Sequence, residues 1–403
     1  MAEAAREAWI TGIGIISCLG EGPQAHWQKL MEAHPSADAT TFAPFIVHPL
    51  APTNFDTQIP KKGDQRQMEA WQRIGTYAAG LALDSAGVKG KPEILSHMDM
   101  IVAAGGGERD VNVDSTILTG MPKAANPAAF LNERLMSDLR PTLFLAQLSN
   151  LLAGNISIVH GVTGSSRTFM GEEIAGIESV RIALARIAAG QSDIALVGGS
   201  QNAERPDLLI IYRFSDMALK DRLVPVWERG GNGAFAAGSM GAFLVIEARE
   251  HAEKRGAKPL ARLSAVVSDR ANRKAGGTIS ASLAKLWDKL KGKVKAGHAA
   301  VLSGASGVNP ATAEERDFLS QHSDLAVRAT GSYVGHGLEP TFPMNLALAA
   351  IAVGHGSLFP PCDATGLERP MSGNLSQGLL EQVLVTGVGH WRGEALALVE
   401  RVD

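Results

Sequence analysis

The chain has 403 residues, 45% of them hydrophobic and 20% charged, with a net charge of −3. That is the composition of a folded protein with room for a large core or two ordinary domains. It excludes a general affinity for nucleic acid or for anionic membranes.

Two cysteines, Cys18 and Cys362, stand in no metal-type spacing and point to a reducing compartment. The eleven histidines form no HxxxH pair, so neither a metal nor another cofactor is expected. No apolar run approaches the roughly 20 residues of a membrane span. The first residues lack a signal-peptide core. A cytoplasmic protein without membrane insertion is expected.

In chain order, Ala8–Ile16 predicts a strand that carries Gly12-x-Gly14. The dinucleotide fingerprint is incomplete and no acidic residue closes a compact βαβ unit, which sets that reading aside. Residues 34–60, rich in Pro, Thr and Asp, read as a surface loop. A helix is expected from Asp64 to about Ala86, with Lys61, Lys62, Arg66 and Arg73 beside its start. Asp99–Ala104 reads as a strand ending in Gly105-Gly106-Gly107. Residues 108–147 read as an irregular excursion with short helices.

The most patterned stretch is 154–199. A β-branched, apolar run ends at Met170, and His160 reads as a strand-end residue. Gly171-Glu172-Glu173 then make a tight turn. Ile174, Ile177, Val180, Ala183, Leu184 and Ile187 recur at the spacing of one buried helix face, and Gly190 supplies the stop. The strand Ile194–Val197 follows. Such a turn aims Glu173 at a helix N-terminus, where backbone N–H groups and the dipole favour an anion.

The charged run Glu250–Lys258 marks a waist between halves 1–250 and 251–403 of one compact unit. Strands are expected at Leu260–Val267, Ala299–Leu302, Leu325–Ala329, Gln382–Gly387 and Ala395–Val399. A helix carrying Leu346, Leu348, Ala349 and Val353 precedes the last two and stops at Gly354. Residues 164–199 and 330–362 echo each other as strand, Gly-rich turn, apolar helix, Gly stop and strand.

The stretch Leu148–Gly199 resembles, without gaps, the active-site elbow of the β-ketoacyl-acyl carrier protein synthases, the condensing enzymes of fatty acid synthesis. Ile10-Thr11-Gly12-Ile13-Gly14 resembles their first strand, Arg222–Glu247 is similar to their strand pair with its Gly-rich turn, and Ser332, Gly335 and His336 match their K-S-x-x-G-H run. The resemblance extends over roughly residues 8–402. It implies an α/β, thiolase-like fold of duplicated α-β-α-β-α layers with mixed sheets. It also implies a dimer, with 108–147 near the dimer contacts and acyl pocket, and an acyl carrier protein docked on a basic patch at Lys61, Lys62, Arg66 and Arg73. A solvated helix face is the simpler account of each of those cations.

The departures fall on the chemistry. In the elongating members the nucleophilic cysteine stands nine residues after the glycine that is Gly164, and Glu173 takes its place. Attack by a carboxylate on a thioester would give an anhydride, more reactive than the starting thioester, and Glu173 would repel a malonyl carboxylate. Gly304 occupies the first histidine position, and of that run only Glu315 is kept. Gly331 occupies the lysine position, while His336, the second histidine, is retained. The loop of pattern G-F-G-G-x-N reads Gly387-Val388-Gly389-His390-Trp391-Arg392. Val388 thus replaces the gating aromatic, and His390 and Trp391 line a pocket or plug its mouth. Each lost group is worth about 10²–10⁴-fold in rate by analogy with acid and oxyanion donors.

Simpler roles stand beside these. Glu173 serves equally well as a helix N-terminal acid worth a few tenths to about 1 kcal/mol. His336 serves as a remnant that holds its turn, and Cys18 and Cys362 as small buried hydrophobes. The resemblance implies a Cys-less subunit that pairs with a Cys-bearing ketosynthase homologue, or with itself, and shapes acyl chain length. Chain-length factors of aromatic polyketide synthases, which carry Gln for the cysteine, are the precedent in kind. The motif set is most similar to accessory synthases that make the very-long-chain acyl group of lipid A in alphaproteobacteria. The alternatives are altered chemistry (malonyl-carrier decarboxylation or acyl transfer) and a carrier-protein binding module. A serine hydrolase is set aside, because no GxSxG elbow is present.

Overall fold

The structure is a computed structural model that describes residues 5–139, 147–371 and 380–402. The N-terminal strands are β1 (Ala8–Ser17), β2 (Asp99–Ala103), β3 (Ser166–Phe169), β4 (Ile194–Gln201) and β5 (Met240–Ala248). The C-terminal strands are β6 (Ala261–Asp269), β7 (Ala299–Ser303), β8 (Ala326–Ala329), β9 (Gln382–Val388) and β10 (Glu394–Glu400). The first five lie in the order β3-β2-β4-β5-β1 and the second five in the order β8-β7-β9-β10-β6, so one topology is used twice. The halves join where β1 meets β6, pairing Trp9 with Arg262 and Ile10 with Ala261. In each half the fifth strand pairs antiparallel with the first and fourth and the other pairs are parallel, which makes both halves of this continuous sheet mixed.

Six helices build the layers: α1 (Ala70–Ser85), α2 (Leu151–His160), α3 (Glu172–Ala188), α4 (Thr278–Leu290), α5 (Ala311–Ser320) and α6 (Thr341–His355). α3 and α6 occupy corresponding places in the two halves and pack together between the sheets. α6 is buried from Thr341 through Val353, as expected of a helix apolar on every side. α1 and α2 cover the outer face of the N-terminal sheet, and α4 and α5 that of the C-terminal sheet. The outcome is the thiolase-like α-β-α-β-α layering.

Local chemistry moves several boundaries. The expected helix from Asp64 is two pieces, Lys62–Arg66 and α1, because Glu69 and Gln72 make a capping box that starts α1 afresh. The apolar run before Met170 is not one strand. Leu151–His160 is helical, with Gly161 at φ 76° ending it, and only Ser166–Phe169 extends. His160 is therefore a helix-end residue whose ring pairs with Thr76 O at 2.8 Å. The expected strand pair in 222–247 is one long strand, β5. The short segment Ala237–Gly238 pairs instead with Val47–His48. Helix α6 passes through Gly354 and stops at Gly356, φ 64°. Among the described residues no helix is long and apolar enough to cross a membrane.

The core holds neutral histidines, which gives the fold an acid limit. Burial pushes His26 down to about 4, His48 to about 3 and His160 to about 4. The unfolded chain takes up their protons near pH 6.5, which the native state refuses. Their contribution is complete above that value and is lost as pH falls toward 4, at about 1.4 kcal/mol per pH unit for each histidine. Buried Glu339, pushed up to about 7, opposes this with one proton against three. Denaturant midpoints should therefore fall steeply from pH 6.5 to 4.5. A flat profile would show that these rings titrate normally.

Candidate functional site

The elbow between β3 and α3 is built by backbone that most residues avoid. Gly171 lies at φ 124°, and Glu172, a non-glycine, lies at φ 51°. This turn swings Glu173 into the first turn of α3 and into the interior, where it is 4% exposed. Arg392 ties the strained residue from outside, with Nη2 3.1 Å from Glu172 Oε2.

Two histidines meet Glu173. His336, in the turn between β8 and α6, places Nε2 2.8 Å from Glu173 Oε1. His390, in the turn between β9 and β10, brings Nδ1 to the same oxygen. A carboxylate only accepts, so both ring nitrogens donate. The rings stand at 87° with centroids 5.0 Å apart. Phe235 covers both, 5.5 Å from His336 and 5.2 Å from His390. Burial alone would raise the Glu173 carboxyl. The charge of His390 and hydrogen bonds from both rings outweigh it, and hold that carboxyl well below the usual range. Burial, helped by the nearby charges of His390 and Arg229, pushes His336 down against the pull of Glu173. The expectation that His336 merely holds its own turn is thus replaced by a bond across the molecule.

The other expected positions separate. Val388 is buried within the outer C-terminal core. Trp391 is 44% exposed and leans on His390 at 5.8 Å. Gly304 donates its N–H to Thr386 Oγ1 at 3.2 Å, and a Cβ there would stand 2.8 Å from Thr386 O. Asn345 Nδ2 faces that spot without a hydrogen-bond partner among the described residues. A Cβ on Gly331 would stand 2.9 Å from Ala305 O. Glu315, the acid retained from the first-histidine run, accepts from Ser303 Oγ at 2.7 Å and from Thr386. Of the basic residues, Lys61, Lys62 and Arg66 are exposed, Lys62 is paired with Asp56, and Arg73 stacks over Phe55. Cys18 donates to Tyr333 O, and burial pushes its thiol up to about 12, so it is inert.

Sequence reasoning missed three supports. Arg273 donates to Gly389 O at 3.0 Å and pairs with Glu394, pinning the loop that carries His390. Phe235 shields the rings. Glu339, just before α6, holds a buried carboxyl beside Gly105 with Oε2 unpartnered among the described residues. Its proximity to His336 in sequence was the available signal.

Chemically, a carboxylate with both donors committed to one oxygen is a closed arrangement. It offers no thiol, and His336 has its coordinating nitrogen engaged.

A family model described as beta-ketoacyl synthase, N-terminal domain, matches residues 5–251. The 3-oxoacyl-[acyl-carrier-protein] synthase 2 of Vibrio harveyi is 27% identical over 271 residues, covering 64% of this chain and 61% of that protein. The matched region thus spans less than two thirds of that relative's length. Among solved structures, the ishigamide ketosynthase/chain length factor superposes with a TM-score of 0.77 at 18% identity, covering 99% of this chain and 100% of that one. A type II polyketide synthase acyl-carrier protein in complex with its ketosynthase bound to the hexaketide gives 0.71 at 16% identity, with 99% and 100% covered. At these identities the structural likenesses show the fold.

Proposed function

We propose, for a chain that belongs to the beta-ketoacyl synthase family, that it is a non-condensing subunit that pairs with a Cys-bearing ketosynthase and shapes acyl chain length. The observation that carries this reading is the engaged elbow. The residue at the nucleophile position is a buried carboxylate, and the one retained histidine donates to it. Condensation needs a thiolate to take the acyl group and free donors for the thioester carbonyl. Here the carboxylate forms no stable acyl intermediate and the donors are occupied.

Pairing is supported by the sheet. Among the described residues β3 is an edge strand, bonded to β2 on one side only. An edge of this kind offers a row of unpaired N–H and C=O groups to another chain. Apolar Met170, directly after it, is 66% exposed, and Ile158 on neighbouring α2 is 73% exposed. The exposed cations Lys61, Lys62 and Arg66 suit an acidic carrier protein.

The test is a condensation assay with malonyl- and acyl-carrier protein. The protein alone should be silent. Mixed with a cysteine-bearing synthase from the same source, it should raise the rate or lengthen the product, with very-long-chain acyl groups of the lipid A type the first products to seek. Product formed by the protein alone would overturn this reading in favour of altered chemistry. Saturable carrier binding with no effect on any partner synthase would favour a binding module.

A further inference from the structure

We propose that Glu173, His336 and His390 form a binding site for one divalent first-row transition cation, of the two-imidazole, one-carboxylate class. One donor atom from each of the three residues lies within 4.8 Å of the others, and Glu173 Oε1 already meets His336 Nε2 at 2.8 Å and His390 Nδ1. Atoms bound at about 2.0–2.2 Å to one ion stand roughly 3–4 Å apart. Only small side-chain rotations separate the present contacts from such a shell.

Four features support the site. The three residues are 4%, 2% and 8% exposed, so water competes little for the ion. They sit on rigid points: the first turn of α3, the turn before α6, and a loop pinned by Arg273. Two of the three occupy positions where the family pattern places cysteine and glycine, so the convergence belongs to this chain rather than to the inherited machinery. Finally, His336 Nδ1 and His390 Nε2 have no hydrogen-bond partner among the described residues. On cation uptake the proton has to leave each coordinating nitrogen: it moves to the second ring nitrogen where that nitrogen is bare, and is released to solvent where the ring is charged.

The donor set selects the metal class. Imidazole and carboxylate without thiolate suit Zn²⁺, Fe²⁺ or Co²⁺. Glu172 adds negative charge nearby, while buried Arg229 and the Arg392 bound to Glu172 oppose it. The second ring nitrogens lack the acceptors that usually orient metal-bound histidine, so affinity should be about 10–100-fold below that of a fully supported site. Because this inference rests on the geometry alone, it stands or falls separately from the partner role.

The experiment titrates chelator-treated full-length protein with Co²⁺, read by visible ligand-field absorption, and with Zn²⁺, read by calorimetry and thermal melting. One equivalent per chain, without the sulfur charge-transfer bands of a cysteine site, and a raised Tm are expected. His390→Gly and Glu173→Gln should each weaken uptake about 10–100-fold or more. No uptake by the wild-type protein, or uptake by both variants equal to that of the wild type, overturns the site. Should either variant fail to fold, the wild-type Co²⁺ spectrum decides: sulfur bands or the absence of ligand-field bands overturns it.

Discussion

Glu173→Cys should not turn this protein into a condensing enzyme. On the proposed reading the substitution puts a thiol at the nucleophile position at the head of α3, yet two other positions assigned to that apparatus carry no side chain. Gly304 and Gly331 offer backbone only, and each missing group is worth about 10²–10⁴-fold in rate. Such losses do not simply multiply, so the expected result is activity at or near background. The replacement also takes the acceptor from His336 Nε2 and His390 Nδ1, both buried. An unsatisfied buried polar group costs about 1–3 kcal/mol, so the variant should melt earlier than the wild type.

Reverting the other two positions would not complete the repair. A Cβ at Gly304 meets the Thr386 carbonyl at 2.8 Å, and one at Gly331 meets the Ala305 carbonyl at 2.9 Å. Both obstacles are backbone, which yields only by moving β9 or the turn after β7. Overpacking of this kind costs about 1–3 kcal/mol at each site. A condensation assay on Glu173→Cys, with a thiol titration to confirm that the cysteine is present and accessible, checks the prediction. Robust product from that single variant would show that the glycine positions are not disabling.

How far the sequence reaches can be judged at the same residues. The periodic Ile174–Ile187 face and the Gly190 stop describe α3 to within two residues, because a helix packed between two sheets needs a continuous apolar stripe. The echo between 164–199 and 330–362 holds for the apolar helix, α3 against α6, and fails for the strands, because β8 ends at Ala329 and β9 starts only at Gln382. Glu173 was legible as an acid in the turn at a helix N-terminus. Its contacts were not, because they join residues 163 and 217 positions apart, and no local pattern encodes such pairing. For the same reason a search for metal spacing finds nothing: each donor comes from a different segment. α2 was misread as strand because Ile156, Ile158 and Val159 favour extended chain, while packing against α1 and β2 selects the helix. α4 lies where no motif directed attention, although its Ile279, Leu283, Leu286 and Leu290 keep helical spacing.

The edge of β3, unpaired among the described residues, leads to the second large effect. If a partner chain docks there, Met170→Asp and Ile158→Asp should abolish pairing while leaving the monomer intact. Both side chains are mostly exposed, 66% and 73%, so neither supports the core. At the centre of an interface, by contrast, truncation or charging of an apolar anchor costs 2 kcal/mol or more, which is about 30-fold or more in affinity. The double variant should therefore sediment as a monomer and fail to co-purify with the cysteine-bearing synthase, with an unchanged Tm for the isolated chain. Leu260→Asp is the control. That residue is 39% exposed and bonds its N–H to Ile10 O at the start of β6, in the other half of the molecule from β3. It should leave pairing untouched. Equal association by all three variants would move the interface away from β3. On the proposed partner role, an effect on chain length would then have to arise through contacts elsewhere on the surface.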